Sequence, residues 1–426
     1  MMPPTSPPQV TGLDLHVRRA DVLATIARVL DYRPEPHVPH HGRVAVLAAR
    51  VASYLPGPDP SDVFLAGLVH DIGLLDAQWD LAHPPNLTEQ ANRPLIRSHP
   101  LTGAQMLADV PRMLPLAEIV LDHHEWVDGH GYPRGKAGEE VSPASQVLRF
   151  ADTCDFLLRE QGSPELLALL DAARTRTASQ VSPHVREAGS EALGQPGLYG
   201  QLLEGKTVDG LVQEVAQRLG PDDVVSTDAE MTGLLELLAT LIDAHAADHS
   251  GHSRRVAKLV VMVAMAMGLE PSATARAKWA ALIHDIGMIT VPKAVLDEPR
   301  LLSERELRDV RAQTARAAEF LGKVDGLDEV ARIAACHREA FDGSTGPSGP
   351  AAGDVPLASR LIAVCDTFDA LTSHRPYRAA RDTSLAIDIL IRGSGGLFDP
   401  DVVSAAVPVL LISKPRGTDA EPLRTY

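Results

Sequence analysis

The string Phe64-Leu-Ala-Gly-Leu-Val-His70-Asp71-Ile-Gly-Leu-Leu75 constrains this chain more than any other. An apolar helical run ends on a histidine and an aspartate side by side, and Gly73 halts it. Adjacent helix positions lie about 100° apart, so both heads converge on one centre only at the edge of a buried face. Met once, such a pair reads as a helix C-terminus with a histidine on its dipole. It is met twice. The string returns as Trp279-Ala-Ala-Leu-Ile-His284-Asp285-Ile-Gly-Met288, and 284−70 = 214. Other landmarks keep the step: 252−40 = 212, 337−123 = 214, 366−152 = 214 and 400−183 = 217. A register this steady indicates tandem duplication of one domain.

At 426 residues the chain exceeds one typical core. Alanine and leucine dominate and β-branched alternation is rare, so the fold class expected is all-α, as two tandem helical bundles. The expected layout is a disordered proline-rich tail over 1–12, a first domain over 13–219, a linker over 220–228, a second domain over 229–415 and a tail over 416–426. The formal charge of −16 argues against a general surface for nucleic-acid polymers or anionic membranes. An anionic ligand would need a local positive site, such as metal ions.

Seventeen histidines against three cysteines favour imidazole and carboxylate ligation over a thiolate site. Cys154, Cys336 and Cys365 fall inside apolar helical patterns and read as reduced core residues. The N-terminus lacks the apolar segment of a signal peptide, and Val256 to Leu269 is too short for a bilayer. The expectation is a soluble cytoplasmic protein.

The first half places His40, His70, Asp71, His99, His123, His124 and Asp152 at successive helix landmarks. One at a time each has a plain explanation. His40 or His41 would serve as capping residues, His99 before Pro100 as a helix start, His123-His124 as a polar last turn, Asp152 as a satisfied buried carboxylate. An ordinary bundle has no reason to supply all of them together. Neutral imidazoles mixed with carboxylates suit a pair of divalent ions with a bridging carboxylate, the arrangement that serves in-line phosphoryl displacement. Asp71 is the natural bridge and proton acceptor.

Six strings carry a family resemblance: His40-His-Gly-Arg43-Val44, His70-Asp71-Ile-Gly, Ile96-Arg-Ser-His99-Pro, His123-His-Glu125, Asp128-Gly-His-Gly131-Tyr132-Pro133 and Ala151-Asp152. On these the chain resembles the HD-GYP subgroup of the HD-domain metal-dependent phosphohydrolases, whose usual function is hydrolysis of cyclic di-GMP. The resemblance implies two HD-type bundles and makes His40, His70, Asp71, His99, His123, His124 and Asp152 the metal ligands. It makes Asp71 and His70 the catalytic pair and sets Tyr132 in the substrate groove.

The chain also departs from the family pattern. Leu74 stands where the family has a phosphate-contacting lysine, and Pro36 where three-metal members have glutamate. Two metal ions are therefore expected, with iron or manganese favoured by the ligand chemistry. The family's Arg-Pro-Tyr-Arg segment is missing from the first half, where the chain runs Cys154-Asp-Phe-Leu-Leu-Arg159-Glu-Gln161. The second half keeps His252, His284, Asp285, His337 and Asp366 but has Gln313, Arg338 and Met288 at the equivalents of His99, His124 and the lysine. It is expected to be a degenerate copy for packing, dimerisation or regulation, with a homodimer the commonest prior. Its Arg375-Pro-Tyr-Arg378 matches the family, so Arg375 and Arg378 are candidate phosphate contacts for the first site.

The function expected is a metal-dependent phosphodiesterase acting on a cyclic dinucleotide, cyclic di-GMP first. Two alternatives stay open: the same site on another nucleotide or phosphoester, and a non-catalytic module that binds a nucleotide or partner protein.

Overall fold

The computed structural model describes residues 16–32, 38–74, 94–245, 250–297, 300, 303–344, 354–374 and 379–413. The expected tails at 1–12 and 416–426 lie outside the described residues, as do Arg375 and Arg378. The fold is all-α. Among the described residues β pairing is confined to three isolated bridges. None of the described helices is long and apolar enough to cross a membrane.

The chain divides into two compact units, Asp14–Leu237 with Lys323–Gly326, and Leu238–Gly322 with Leu327–Tyr426. Their division falls within one helix. The N-terminal unit contains α1 (Arg19–Leu30), α2 (His40–Ala52), α3 (Pro60–Val69), α4 (Pro94–Ala108) and α5 (Leu114–Asp122). It continues with α6 (Pro143–Gln161), α7 (Leu166–Arg176), α8 (Pro183–Leu193), α9 (Leu198–Leu202) and α10 (Gly205–Arg218), and α11 (Asp228–Ala244) runs through the division. Helix α3 is the hub. Asp59 accepts from Ser61 N at 2.8 Å and Pro60 takes the first position, so the start is fixed by a side-chain cap and a preset φ. Its residues Val63 to Val69 are all buried, as an apolar run without a polar stripe must be.

Gly67 fixes how closely α3 meets α2. A Cβ there would stand 2.6 Å from Ala45 Cα, so only glycine permits this approach. Helix α10 lies across α2, with Val208 and Val212 against Gly42. Helix α6 packs on α2 and α3; Ser142 caps it through Ser145 N at 3.1 Å, and Gly162, at φ 65°, ends it in the left-handed region. The segment expected as a linker forms a 3-10 turn at Pro221–Asp223. Asp223 is buried there and accepts from Arg18 Nε and Ala20 N.

The C-terminal unit repeats the scheme with α12 (His252–Ala266), α13 (Pro271–Ile283), α14 (Lys293–Leu296), α15 (Glu304–Arg311) and α16 (Gln313–Leu321). Helices α17 (Asp328–Ala335), α18 (Leu357–Thr372), α19 (Thr383–Arg392) and α20 (Pro400–Ile412) complete it. Helices α12, α13, α17, α18 and α20 match α2, α3, α5, α6 and α8 at the offsets read from the sequence. Two helical bundles in tandem are what the chain forms.

Candidate metal centre

Three histidines of the N-terminal unit are oriented by one device. His70 and His123 follow the last residues of α3 and α5, where backbone carbonyls lack helical partners. Their Nδ1–H groups donate to the carbonyls three residues back, Gly67 O at 2.9 Å and Val120 O at 2.6 Å. His99 does the same inside α4, because Pro100 has no N–H to give Ile96 O and the histidine supplies it at 2.6 Å. With Nδ1 committed, each ring offers its Nε2 lone pair to the interior. Gly73 completes the arrangement. Its missing Cβ would stand 2.2 Å from His99 O, so the turn after α3 rests directly on α4.

His40, at the first position of α2, is held from the other side. Its Nδ1 donates to Asp155 Oδ2 at 2.6 Å, and the same buried carboxylate takes Arg43 Nε at 2.5 Å and Arg159 Nε at 2.7 Å. Four Nε2 atoms then meet as two pairs, His40 with His70 at 3.2 Å and His99 with His123 at 3.1 Å. Asp71 stands between them. Its Oδ2 is 3.6 Å from His40 Nε2 and 3.5 Å from His70 Nε2, and its Oδ1 is 3.1 Å from His99 and 3.7 Å from His123.

The electrostatics agree with that geometry. Burial drives the His70 pKa down to about 3, against the pull of Asp71, so its ring is neutral. Burial also opposes the charged form of His40, but the Asp155 carboxylate outweighs it and lifts the pKa to about 10. A protonated His40 therefore donates through Nε2 to neutral His70. Burial works to raise the Asp71 pKa, yet the imidazoles around it, His70 first and then His123, His40 and His99, hold it well below the carboxylate range. His124 is pushed well down by burial, His123 and Arg149.

The remaining expected site residues fall as follows. His124 joins Asp71, His99 and His123 in one cluster with ligand atoms within 4.8 Å. Asp152 is outside both clusters; its Oδ2 accepts from Arg149 Nη1 at 3.1 Å, and the same nitrogen is 3.1 Å from His124 Nδ1. Tyr132 is half-buried, stacked on His124 with ring centroids 4.7 Å apart and planes 14° from parallel.

Two residues escaped the sequence reading. His41 belongs to the cluster of His40, His70 and Asp71. Its Nδ1 is 2.7 Å from Asp31 Oδ1, while its Nε2 is buried without a hydrogen-bond partner. Asp155 orients His40. The signal for it was an Asp-x-x-Asp spacing present in both halves, at 152/155 and 366/369.

These donors fit divalent metal ions. Ligand atoms about 2.0–2.2 Å from one ion lie about 3–4 Å apart, the spacing of the Nε2 pairs and the Asp71 oxygens. The orphaned His41 Nε2 is a further donor atom that no protein group uses.

The C-terminal unit keeps half of this. His252 Nδ1 donates to Asp369 at 2.8 Å and Arg255 Nε to the same carboxylate at 2.7 Å, repeating the trio of His40, Asp155 and Arg43. His252 Nε2 is 3.3 Å from Asp366 Oδ1. The other half is closed by protein. Arg338 donates from Nη2 to Asp285 Oδ1 at 3.1 Å and from Nε to His337 Nε2 at 3.0 Å, and Gln313 adds a bond to Asp285 at 3.2 Å. A guanidinium stands where a second cation would sit.

A helical bundle whose helix ends and turns present paired imidazoles across one aspartate defines a class of metal-binding helical domain. The chain belongs to the HD domain family, whose model matches residues 24–175 and 236–402, one stretch in each half. The 3'3'-cGAMP-specific phosphodiesterase 3 of Vibrio cholerae serotype O1 is 31% identical over 309 residues, 70% of this chain and 64% of that protein. The cyclic di-GMP phosphodiesterase of Thermotoga maritima is 32% identical over 174 residues, 40% of this chain and 47% of that one. The chain thus spans less than two thirds of either relative. The crystal structure of the V. cholerae cyclic GMP-AMP specific phosphodiesterase V-cGAP3 shares the fold, with a TM-score of 0.63 at 22% identity over 94% of this chain and 99% of that one.

Proposed function

We propose that this chain is a metal-dependent phosphodiesterase that opens a 3′,3′-cyclic dinucleotide, with the N-terminal unit as its catalytic half. One observation carries the reading: each oxygen of Asp71 faces its own pair of histidine Nε2 atoms. A carboxylate so placed would serve two cations, one on each oxygen. His40 and His70 with His41 would hold one ion, and His99, His123 and His124 the other. Iron or manganese suits these nitrogen and oxygen donors. When bound, such a pair lowers the pKa of water and neutralises charge on a reacting phosphate.

The chain's own residues do the rest. Asp71 stays ionised and His70 neutral, so the bridge and its neighbour are ready to bind or accept a proton without first losing one. Asp155 fixes the His40 ring, and the i−3 carbonyls fix His70, His99 and His123, so little is reorganised on binding. Tyr132, stacked on His124, offers an aromatic face for a nucleobase or ribose at the edge of the centre. The names of the relatives support the cyclic dinucleotide class and include both cyclic GMP-AMP and cyclic di-GMP. The free cysteines support a reducing, cytoplasmic setting.

The test is turnover of cyclic di-GMP, 3′,3′-cyclic GMP-AMP and cyclic di-AMP by protein purified anaerobically with iron or manganese. About two ions per chain are expected, with hydrolysis lost in Asp71→Ala. Full metal content without turnover of any of the three would reject the reading.

A further inference from the structure

The N-terminal unit has Leu74, 8% exposed, where the family places a phosphate-binding lysine, and a cyclic dinucleotide carries two phosphates. The centre round Asp71 serves one of them. The chain's net charge of −16 gives the other no general attraction, so a local cation is required. Two arginines flank the Tyr132–His124 stack. Arg149 is committed, with Nη1 near His124 Nδ1 and Asp152 Oδ2 and Nε bonded to Gln180 Oε1 at 2.9 Å. Arg97 is not. It is exposed on α4, two residues before His99, and its Cζ lies 4.9 Å from the Tyr132 ring centroid. Among the described residues no carboxylate or carbonyl pairs with its guanidinium.

We propose that Arg97, held over Tyr132, grips the phosphate of the cyclic dinucleotide that is not being cleaved, replacing the lysine and arginines that the N-terminal unit lacks. A guanidinium presents two parallel N–H donors that match a phosphate, and the aromatic face below it restrains the side chain without using those donors. The placement suits a second phosphate. Arg97 stands over Tyr132, which stacks on His124 at the edge of the cluster, whereas the histidines round Asp71 would face the reacting one. This deepens the proposed function and rests on it.

The experiment compares two substrates on metal-loaded protein. Bis(p-nitrophenyl) phosphate has a single phosphate, and the cyclic dinucleotide that the wild type cleaves has two. Arg97→Ala is expected to lower kcat/KM for the dinucleotide about 10- to 100-fold, mainly through KM, the loss typical of one charge-assisted contact. It should leave bis(p-nitrophenyl) phosphate turnover, metal content and melting temperature unchanged. Arg97→Lys should restore only part, because it returns charge without the fork. Equal losses on both substrates would put Arg97 at the reacting phosphate and overturn the proposal, as would undiminished dinucleotide turnover in Arg97→Ala. A wild type that cleaves the small diester but no cyclic dinucleotide overturns the proposed function, and this inference falls with it.

Discussion

Asp155→Asn is the sharpest test of how the centre is held together. The carboxylate is fully buried and accepts from His40 Nδ1, Arg43 Nε and Arg159 Nε. Arg43 is itself buried, with 5% of its side chain exposed, so the change strands a guanidinium in the core. Removing one partner of a buried ion pair costs about 3–5 kcal/mol. A domain of this size shifts about 2–4 °C per kcal/mol, so the N-terminal melting transition should fall on the order of 6–20 °C. Loss of the carboxylate behind His40 should also weaken metal binding about 10- to 100-fold. The duplicate supplies the control. Asp369 makes the same contacts with His252 and Arg255, but 44% of the Arg255 side chain is exposed, so water screens the cation left behind. Asp369→Asn should therefore cost less, and from the other unit. Calorimetry resolves the two transitions and a competitive chelator titration gives the affinity. If Asp155→Asn and Asp369→Asn lower their transitions equally, or metal affinity is untouched, the reasoning from burial is wrong.

Three further outcomes are expected. Gly73→Ala should cost about 1–3 kcal/mol and lower metal content, because the new Cβ meets backbone at His99 O and forces α4 away; elemental analysis and a melting curve check it. In metal-free protein His40 has a folded pKa of about 10 against an ordinary 6.5, so its contribution to stability is present below pH 6.5 and lost as pH rises from 6.5 through 10. Metal displaces that proton, so affinity should climb across the same window; an apoprotein melting temperature flat over it would contradict the assignment. Gln313→His with Arg338→His restores the N-terminal unit's residue types beside Asp285 and should add about one ion per chain, counted by elemental analysis.

Much of the fold was legible because the repeat reports itself. The offsets between His40 and His252, or His70 and His284, are offsets between whole helices, since each histidine sits at a helix end. The ligand positions were legible for the same reason: a helix end leaves carbonyls for Nδ1, so a histidine there has a defined direction even before packing is known. What lies behind the ligands was not. Asp155 reaches His40 across 115 residues, and Asp31 reaches His41 from the end of α1. Such pairings depend on which helices touch, which no local pattern encodes. The sequence pattern singles out His40 from the His40-His41 pair, whereas both rings belong to one cluster. Asp152 was read from its motif alone, and its contact with Arg149 depends on a residue one turn earlier that no family string flagged.

Arg338 gives the duplicate its asymmetry. The N-terminal half has crowded imidazoles round a carboxylate whose charge is to be balanced by ions taken from solution, so its rigidity will follow the supply of those ions. The C-terminal half brings a permanent counter-charge on the Arg338 side chain, tied to Asp285 and His337. Removing divalent ions would thus loosen one half and leave the Asp285 side of the other unchanged.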